Sequence, residues 1–329
     1  MSQSRTQHHE LEKTVTRPIS FIGVGLHTGH KVAMQIKPAA AGTGIHFLRK
    51  DVAPGKGLIV ARWYNVVDTR LSTTLGNEFG ITVATVEHLL AALRGCGIDN
   101  AMVELDGPEV PIMDGSSAVF VRTLEKVGSV AQPQQRNVIW IQQPIEVRED
   151  DRYALLMPHD STRITVEIDF PDSRIRSQSL SVEMINEAFR NDVAHARTFG
   201  FRDQIDALRR QGLVRGGSLQ NAILVDGDRI VNEEGLRYEN EFVRHKILDC
   251  YGDMALLGMP VMGHLFALKP GHSLNHALLK ALFENRSHWS YLTMDDFLQL
   301  SQARHRPRPE PDAEAVASRL RRQYREQRT

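Results

Sequence analysis

Cysteine is scarce in this sequence: Cys96 and Cys250 are the only two in 329 residues. That excludes a disulfide framework of the secreted kind and a cysteine-rich zinc finger. No run of residues approaches the roughly 18 apolar positions of a membrane-spanning helix. Met1 to Glu10 is polar throughout and lacks the apolar core of a secretory signal. Charge of one sign is not in excess either, since 40 Lys+Arg stand against 40 Asp+Glu. Nothing global therefore draws the chain to nucleic acid or to an anionic membrane. Several signatures are also missing: His-Glu-x-x-His, a P-loop, a Gly-x-Ser-x-Gly elbow and a Gly-x-Gly-x-x-Gly fingerprint. The common metalloprotease, P-loop kinase, serine hydrolase and standard dehydrogenase readings lose support accordingly. A cytoplasmic globular protein is the expectation.

What is present is ordinary in bulk, 41% hydrophobic and 24% charged, and long enough for two domains at roughly 100–200 residues each. Residues 1–13 read as a mobile lead-in, 14–130 as a first domain and 138–303 as a second. The polar, proline-bearing stretch 129–137 is the best linker candidate. The Arg-, Pro- and Glu-rich tail, 304–329, reads as disordered. No internal repeat is evident in the letters.

Gly23-Val24-Gly25-Leu26-His27-Thr28-Gly29 reads as a tight loop between two strands. Its N–H groups can face an anion such as phosphate, though a plain hairpin turn is the simpler reading. Val86, Leu89, Leu90 and Leu93 repeat at helical spacing, so a helix is expected over Thr85–Arg94, capped by Thr85 and stopped at Gly95. Further helices are expected over Ala118–Val127, Val182–Arg190, Asp203–Gln211, Glu241–Leu257 and Ser273–Glu284. Strands are expected over Ala101–Leu105, Val138–Ile141, Ala154–Met157, Ile164–Phe170 and Ala222–Val225.

Three places carry candidate chemistry. His245, Asp249 and Asp253 recur every four residues and so share one helix face, where a His and a carboxylate one turn apart suit a metal ion. With 14 histidines in the chain, about one such pair arises by chance. A solvated polar face explains the spacing as well. Glu87-His88 offers a ligand beside a general base, or an exposed pair at a helix start. His272 follows Gly271 on a loop, with Ser273 as N-cap and His276 on the solvated face.

Six segments taken together resemble the UDP-3-O-acyl-N-acetylglucosamine deacetylases. They are Gly23–Gly29, Thr85–Leu89 (Thr-Val-Glu-His-Leu), Pro111–Ser116 (Pro-Ile-Met-Asp-Gly-Ser), Ala196–Phe201 (Ala-Arg-Thr-Phe-Gly-Phe), Phe242–Asp249 (Phe-Val-Arg-His-Lys-Ile-Leu-Asp) and Gly271–Asn275 (Gly-His-Ser-Leu-Asn). All stand in the family's order across roughly residues 13–300. The resemblance implies a zinc-dependent amidohydrolase that releases acetate from UDP-3-O-(3-hydroxyacyl)-N-acetylglucosamine, the committed step toward lipid A. It implies Zn2+ on His88, His245 and Asp249, a general base at Glu87 and a general acid at His272 partnered by Asp253. Thr198 and Lys246 match residues that contact the reacting amide and substrate, and Phe199, Ile205 and Ser218 match positions lining substrate or acyl-chain space. The implied fold is α+β, two similar domains, each a small sheet with two helices, the helix layers packed between the sheets. The site lies at the domain junction, and an apolar passage in the second domain takes the acyl chain. A monomer is implied, with no membrane span and no nucleic-acid partner. Arg70 is expected near the entrance to that passage. The rival readings are a non-heme Fe(II) oxygenase, which shares the ligand types, and a nucleotide-sugar- or RNA-binding module without activity.

Overall fold

The computed structural model describes residues 10–170, 175–185 and 187–304. The first half begins with strands β1 (Leu11–Val15), β2 (Ile19–Val24), β3 (Lys31–Pro38), β4 (Ile45–Arg49) and β5 (Leu58–Val60). Three short strands follow, β6 (Val66–Asp68), β7 (Thr74–Gly76) and β8 (Thr82–Val83), then helix α1 (Glu87–Gly95), β9 (Ala101–Leu105), α2 (Ala118–Val127) and β10 (Ser129–Gln135). Five of the strands form one sheet, ordered β2-β3-β9-β4-β5, antiparallel except where β4 runs parallel to β9.

The second half runs through β11 (Asn137–Ile141), β12 (Ile145–Glu149), β13 (Arg152–Met157), β14 (Thr162–Phe170) and β15 (Arg176–Glu183). Then come β16 (Phe199–Phe201), α3 (Arg202–Arg210), β17 (Ile223–Asp226), β18 (Arg229–Ile230), α4 (Glu241–Met254), β19 (Val261–Leu268), α5 (His272–Glu284), β20 (Trp289–Thr293) and α6 (Met294–Arg304). Its sheet contains the run β12-β13-β19-β14-β15, again antiparallel except for one parallel pair, β14 with β19. β11 and β20 extend it beside the start of β19.

Strand order and direction are therefore the same in both halves. Each central strand is preceded by one helix (α1, α4) and followed by another (α2, α5). Each half also carries an insertion at the same point, between its fifth strand (β5, β15) and the helix that precedes its central strand (α1, α4): β6–β8 in one, β16 to β18 with α3 in the other. The repetition missing from the letters is present in the topology.

Alternation explains the sheets. In β3, Val32, Met34 and Ile36 are buried while Lys31 and Ala33 are exposed, the period-two pattern of a strand with one covered face. The helices fill the space between the sheets. Every residue of α1 from Glu87 to Leu93 is buried, because neighbours surround it. Gly252 lets α4 approach α1 closely: a Cβ there would lie 2.1 Å from the carbonyl oxygen of Glu87 in α1.

The strand Ala101–Leu105 and the helix Ala118–Val127 form as expected. Other expectations need correction. Thr85 does not cap α1: its φ is +57°, and its hydroxyl donates to Glu109 at 2.9 Å. Gly95 lies within α1, and the left-handed residue is Gly97, φ +68°. Val182–Arg190 is not a helix, since its start completes β15 and a short π-turn spans Phe189–Val193. The stretch 129–137 is no bare linker: Ser129–Gln135 pairs antiparallel with Leu11–Val15, which also orders the end of the lead-in. The expected tail beyond Arg304 lies outside the described residues.

Candidate metal centre and active site

His88 comes from α1, and His245 and Asp249 from α4, so the two helix layers meet at this point. All three side chains are buried, and their ligand atoms lie within 4.8 Å of one another. Asp249 Oδ1 is 3.3 Å from His245 Nε2 and 3.7 Å from His88 Nε2. The alternative of a solvated face on α4 is thus overturned, since that face is buried. His245 Nδ1 donates to the carbonyl of Ala196 at 3.0 Å, which turns the lone pair of Nε2 toward Asp249. Burial, working against the pull of Asp249, lowers the His245 pKa to about 3, so the ring is a neutral donor of the kind metals take. His88 Nδ1 is buried and has no hydrogen-bond partner among the described residues. Imidazole lone pairs and a carboxylate this close repel unless a cation lies among them, so the donor set fits a divalent metal ion.

Glu87 and His272 stand beside the trio, with Glu87 Oε1 3.7 Å from His272 Nε2. Burial raises the Glu87 carboxyl above the usual carboxylate range, and His272 and His88 only partly offset it. Burial alone would lower His272, but Asp253 and Glu87 more than reverse that and raise it to about 9. Asp253 Oδ2 accepts from His272 Nδ1 at 2.8 Å and from Asn275 Nδ2 at 2.8 Å. His272 is not on a loop. It opens α5, because Gly271 is extended and occupies the cap position expected for Ser273. His276 is half-buried, with Nε2 2.9 Å from the carbonyl oxygen of Trp63.

The trio, Glu87 and His272 line a cavity of about 540 Å3. Thr198, Phe199, Ile205, Ser218 and Lys246 line it too, while Asp253 sits behind His272. Lys246 Nζ donates to Asp249 Oδ2 at 2.7 Å and lies 5.7 Å from the centre of the Phe199 ring. The inserted β16 and α3 supply much of the apolar wall. Gly115, φ +83°, passes so close to this wall that a Cβ would meet the Asn221 carbonyl oxygen at 2.1 Å. Arg70 turns away: it is exposed and paired with Asp68 at 2.7 Å, and its neighbours Thr69 and Leu71 face the cavity instead.

Sequence reasoning gave no role to three residues at the site. Arg152 lines the cavity and donates to Ser273 at 3.2 Å. His27 lines it with both ring nitrogens buried and without a hydrogen-bond partner among the described residues. Its loop does not await a phosphate, since the N–H groups of His27 and Thr28 both donate to the buried carboxylate of Glu109, at 2.9 and 2.8 Å. Thr73 is the third.

A buried His-His-Asp trio beside a carboxyl and a charged imidazole, on a cavity wall, is the layout of a metal-dependent hydrolase. The chain belongs to the family described as UDP-3-O-acyl N-acetylglycosamine deacetylase, which it matches over residues 12–284. Among relatives named UDP-3-O-acyl-N-acetylglucosamine deacetylase, that of Phenylobacterium zucineum is 46% identical over 287 residues, covering 87% of this chain and 98% of its own. That of Idiomarina loihiensis is also 46% identical, over 87% of this chain and 94% of its own. The Acidithiobacillus ferrooxidans protein is 47% identical over 85% of this chain and 92% of its own. No helix among the described residues is long and apolar enough to cross a membrane.

Proposed function

We infer that the chain hydrolyses the N-acetyl group of UDP-3-O-acyl-N-acetylglucosamine, releasing acetate and a free amine on the path to lipid A. The observation that carries this is the opposition of Glu87 and His272, 3.7 Å apart, beside the buried trio. Amide hydrolysis needs a base for the water and an acid for the departing amine, and the two roles need opposite protonation states. The site supplies both.

His88, His245 and Asp249 would hold the metal. Zinc is the ion we assign, because two imidazoles and one carboxylate with room for a further ligand is a common catalytic zinc set. When bound, such an ion polarises a carbonyl and brings the pKa of water toward about 7. The remaining chemistry belongs to side chains. Glu87, raised by burial, is a strong enough base to take the proton of the attacking water as the new C–O bond forms. The oxyanion that develops on the carbonyl needs a donor, and the Thr198 hydroxyl on the cavity wall supplies one. His272 gives its Nε2 proton to the nitrogen as the C–N bond breaks. Asp253 holds the opposite ring nitrogen and stabilises the charged form. Lys246 keeps Asp249 ionised and adds positive charge to the wall. The apolar surface at Phe199 and Ile205, with Ser218 nearby, takes the acyl chain. We assign a monomer working in the cytoplasm on a soluble nucleotide-linked substrate.

The test is acetate release from UDP-3-O-acyl-N-acetylglucosamine by purified protein. Release should occur with zinc, stop with a chelator and return when zinc is restored. Metal-replete protein that binds the nucleotide sugar yet releases no acetate would establish a binding module instead.

A further inference from the structure

Thr73 lies just before β7 and is 2% exposed. Every polar group it owns is engaged at the junction of the two halves. Its carbonyl oxygen accepts from the Val86 N–H at 3.3 Å, next to the start of α1. Its own N–H donates to Glu87 Oε2 at 3.0 Å. Its hydroxyl donates to Asp253 Oδ1 at 2.6 Å and lies 3.2 Å from His272 Nδ1. One residue of the first half thus touches Glu87, Asp253 and His272.

The bonds are complementary. With Oε2 of Glu87 held by the backbone, Oε1 is left facing His272 Nε2. With Oδ1 of Asp253 held by the hydroxyl, Oδ2 is left for His272 Nδ1. The hydroxyl has one proton, and the short contact to Asp253 takes it. Its lone pair then faces the His272 N–H, which keeps that proton on Nδ1. Leu71, two residues earlier, sits at φ +64°, a conformation that non-glycine residues adopt rarely and that persists when the surroundings enforce it.

We propose that Thr73 is a positioning residue that fixes the spacing and orientation of the base Glu87 and the acid His272 through paired hydrogen bonds to Glu87 and Asp253. This rests on the hydrolytic reading of the site. Thr73 does not touch the reacting atoms, so its removal acts on the chemical step and leaves substrate binding alone.

The experiment compares Thr73→Val, which keeps the shape and the backbone bond but deletes the hydroxyl, with Thr73→Ser, which restores it. Steady-state acetate release should show kcat down about 10- to 100-fold for the valine variant, the range for groups that orient a catalytic shell, with KM within about twofold. The serine variant should recover to within about threefold of the parent. Metal content should be equal in all three. In the metal-free protein, the downfield proton resonance of the His272 Nδ1–H should broaden or shift in the valine variant and return in the serine one. If valine fails to fold, Thr73→Ala is measured in its place. Unchanged kcat for Thr73→Val, or a serine variant as slow as the valine one, overturns the proposal. Glu87→Gln and His272→Asn run alongside: their collapse with an active Thr73→Val rejects Thr73 alone, whereas their full activity rejects the reading of the site.

Discussion

His272 is buried, yet it holds a proton more tightly than a free imidazole does. Burial opposes the charge, and two carboxylates, Asp253 at 2.8 Å and Glu87 at 3.7 Å, outweigh it and set the pKa near 9. In the unfolded chain the same ring titrates near 6.5. The folded state therefore holds an extra proton between these values. Its contribution to stability is complete below about pH 6.5 and is lost as the pH rises through about 9. Metal-free parent protein should lose thermal stability between pH 6.5 and 9.5 more steeply than metal-free His272→Gln. Parallel melting-temperature curves would count against it. At this scale the sequence was legible for residue types and misleading about surroundings. Glu87, His88 and Asp249 look like surface residues on helical wheels, because a wheel cannot show that a second helix covers the polar side. His27 escaped notice for a similar reason: its glycine-rich setting draws attention to the backbone, whereas the side chain is what enters the cavity.

Among the elements, the contact between α1 and α4 matters most. Alanine favours a helix over glycine by about 1 kcal/mol, so Gly252→Ala would stabilise an isolated α4. Here the added methyl would press against the backbone oxygen of Glu87 at 2.1 Å, and backbone cannot rotate aside. Overpacking of this kind costs about 1–3 kcal/mol, which exceeds the propensity gain. Gly252→Ala should therefore lower the urea midpoint. It should also cut kcat, because the helices that part carry Glu87 and Asp249. A variant with unchanged midpoint and rate would show that the helices have slack. The apolar spacing in α1, α2, α4 and α5 was readable because each keeps a regular stripe. β15 was not: exposed Ser177, Ser179 and Ser181 do alternate with Gln178, Leu180 and Val182, but its end runs on into residues that match helical spacing. Sequence order also hid the pairing of β10 with β1, which joins segments more than a hundred residues apart.

For the whole molecule, the division of the site is the important fact. His88 and Glu87 belong to the first half, and His245, Asp249, Asp253 and His272 to the second. An ion gripped from both sides binds the docked state and not the separated one. By mass action it stabilises the fold by about 2.7 kcal/mol when present at 100 times its dissociation constant. Chelation should lower the melting temperature by several degrees, zinc should restore it, and His88→Ala should be indifferent to both. A parent melting temperature that ignores the chelator would contradict this coupling. The overall α+β plan was legible through the family motifs. So were its two similar halves, although the letters show no repeat, because a topology can persist when no residue-level likeness remains.

That symmetry has a consequence of its own. Two copies of one strand plan, joined end to end and facing each other, have the geometry of a dimer made covalent. In a true dimer any change in one partner appears in the other, so a site on the axis must use the same residue twice. Joining the copies removes that constraint. One side can specialise as proton acceptor while the other specialises as proton donor, and the insertions can diverge, one a small sheet and the other a wall for the cavity. Here the base Glu87 comes from the first half and the acid His272 from the second, a pairing of unlike side chains that exact two-fold symmetry would have to duplicate.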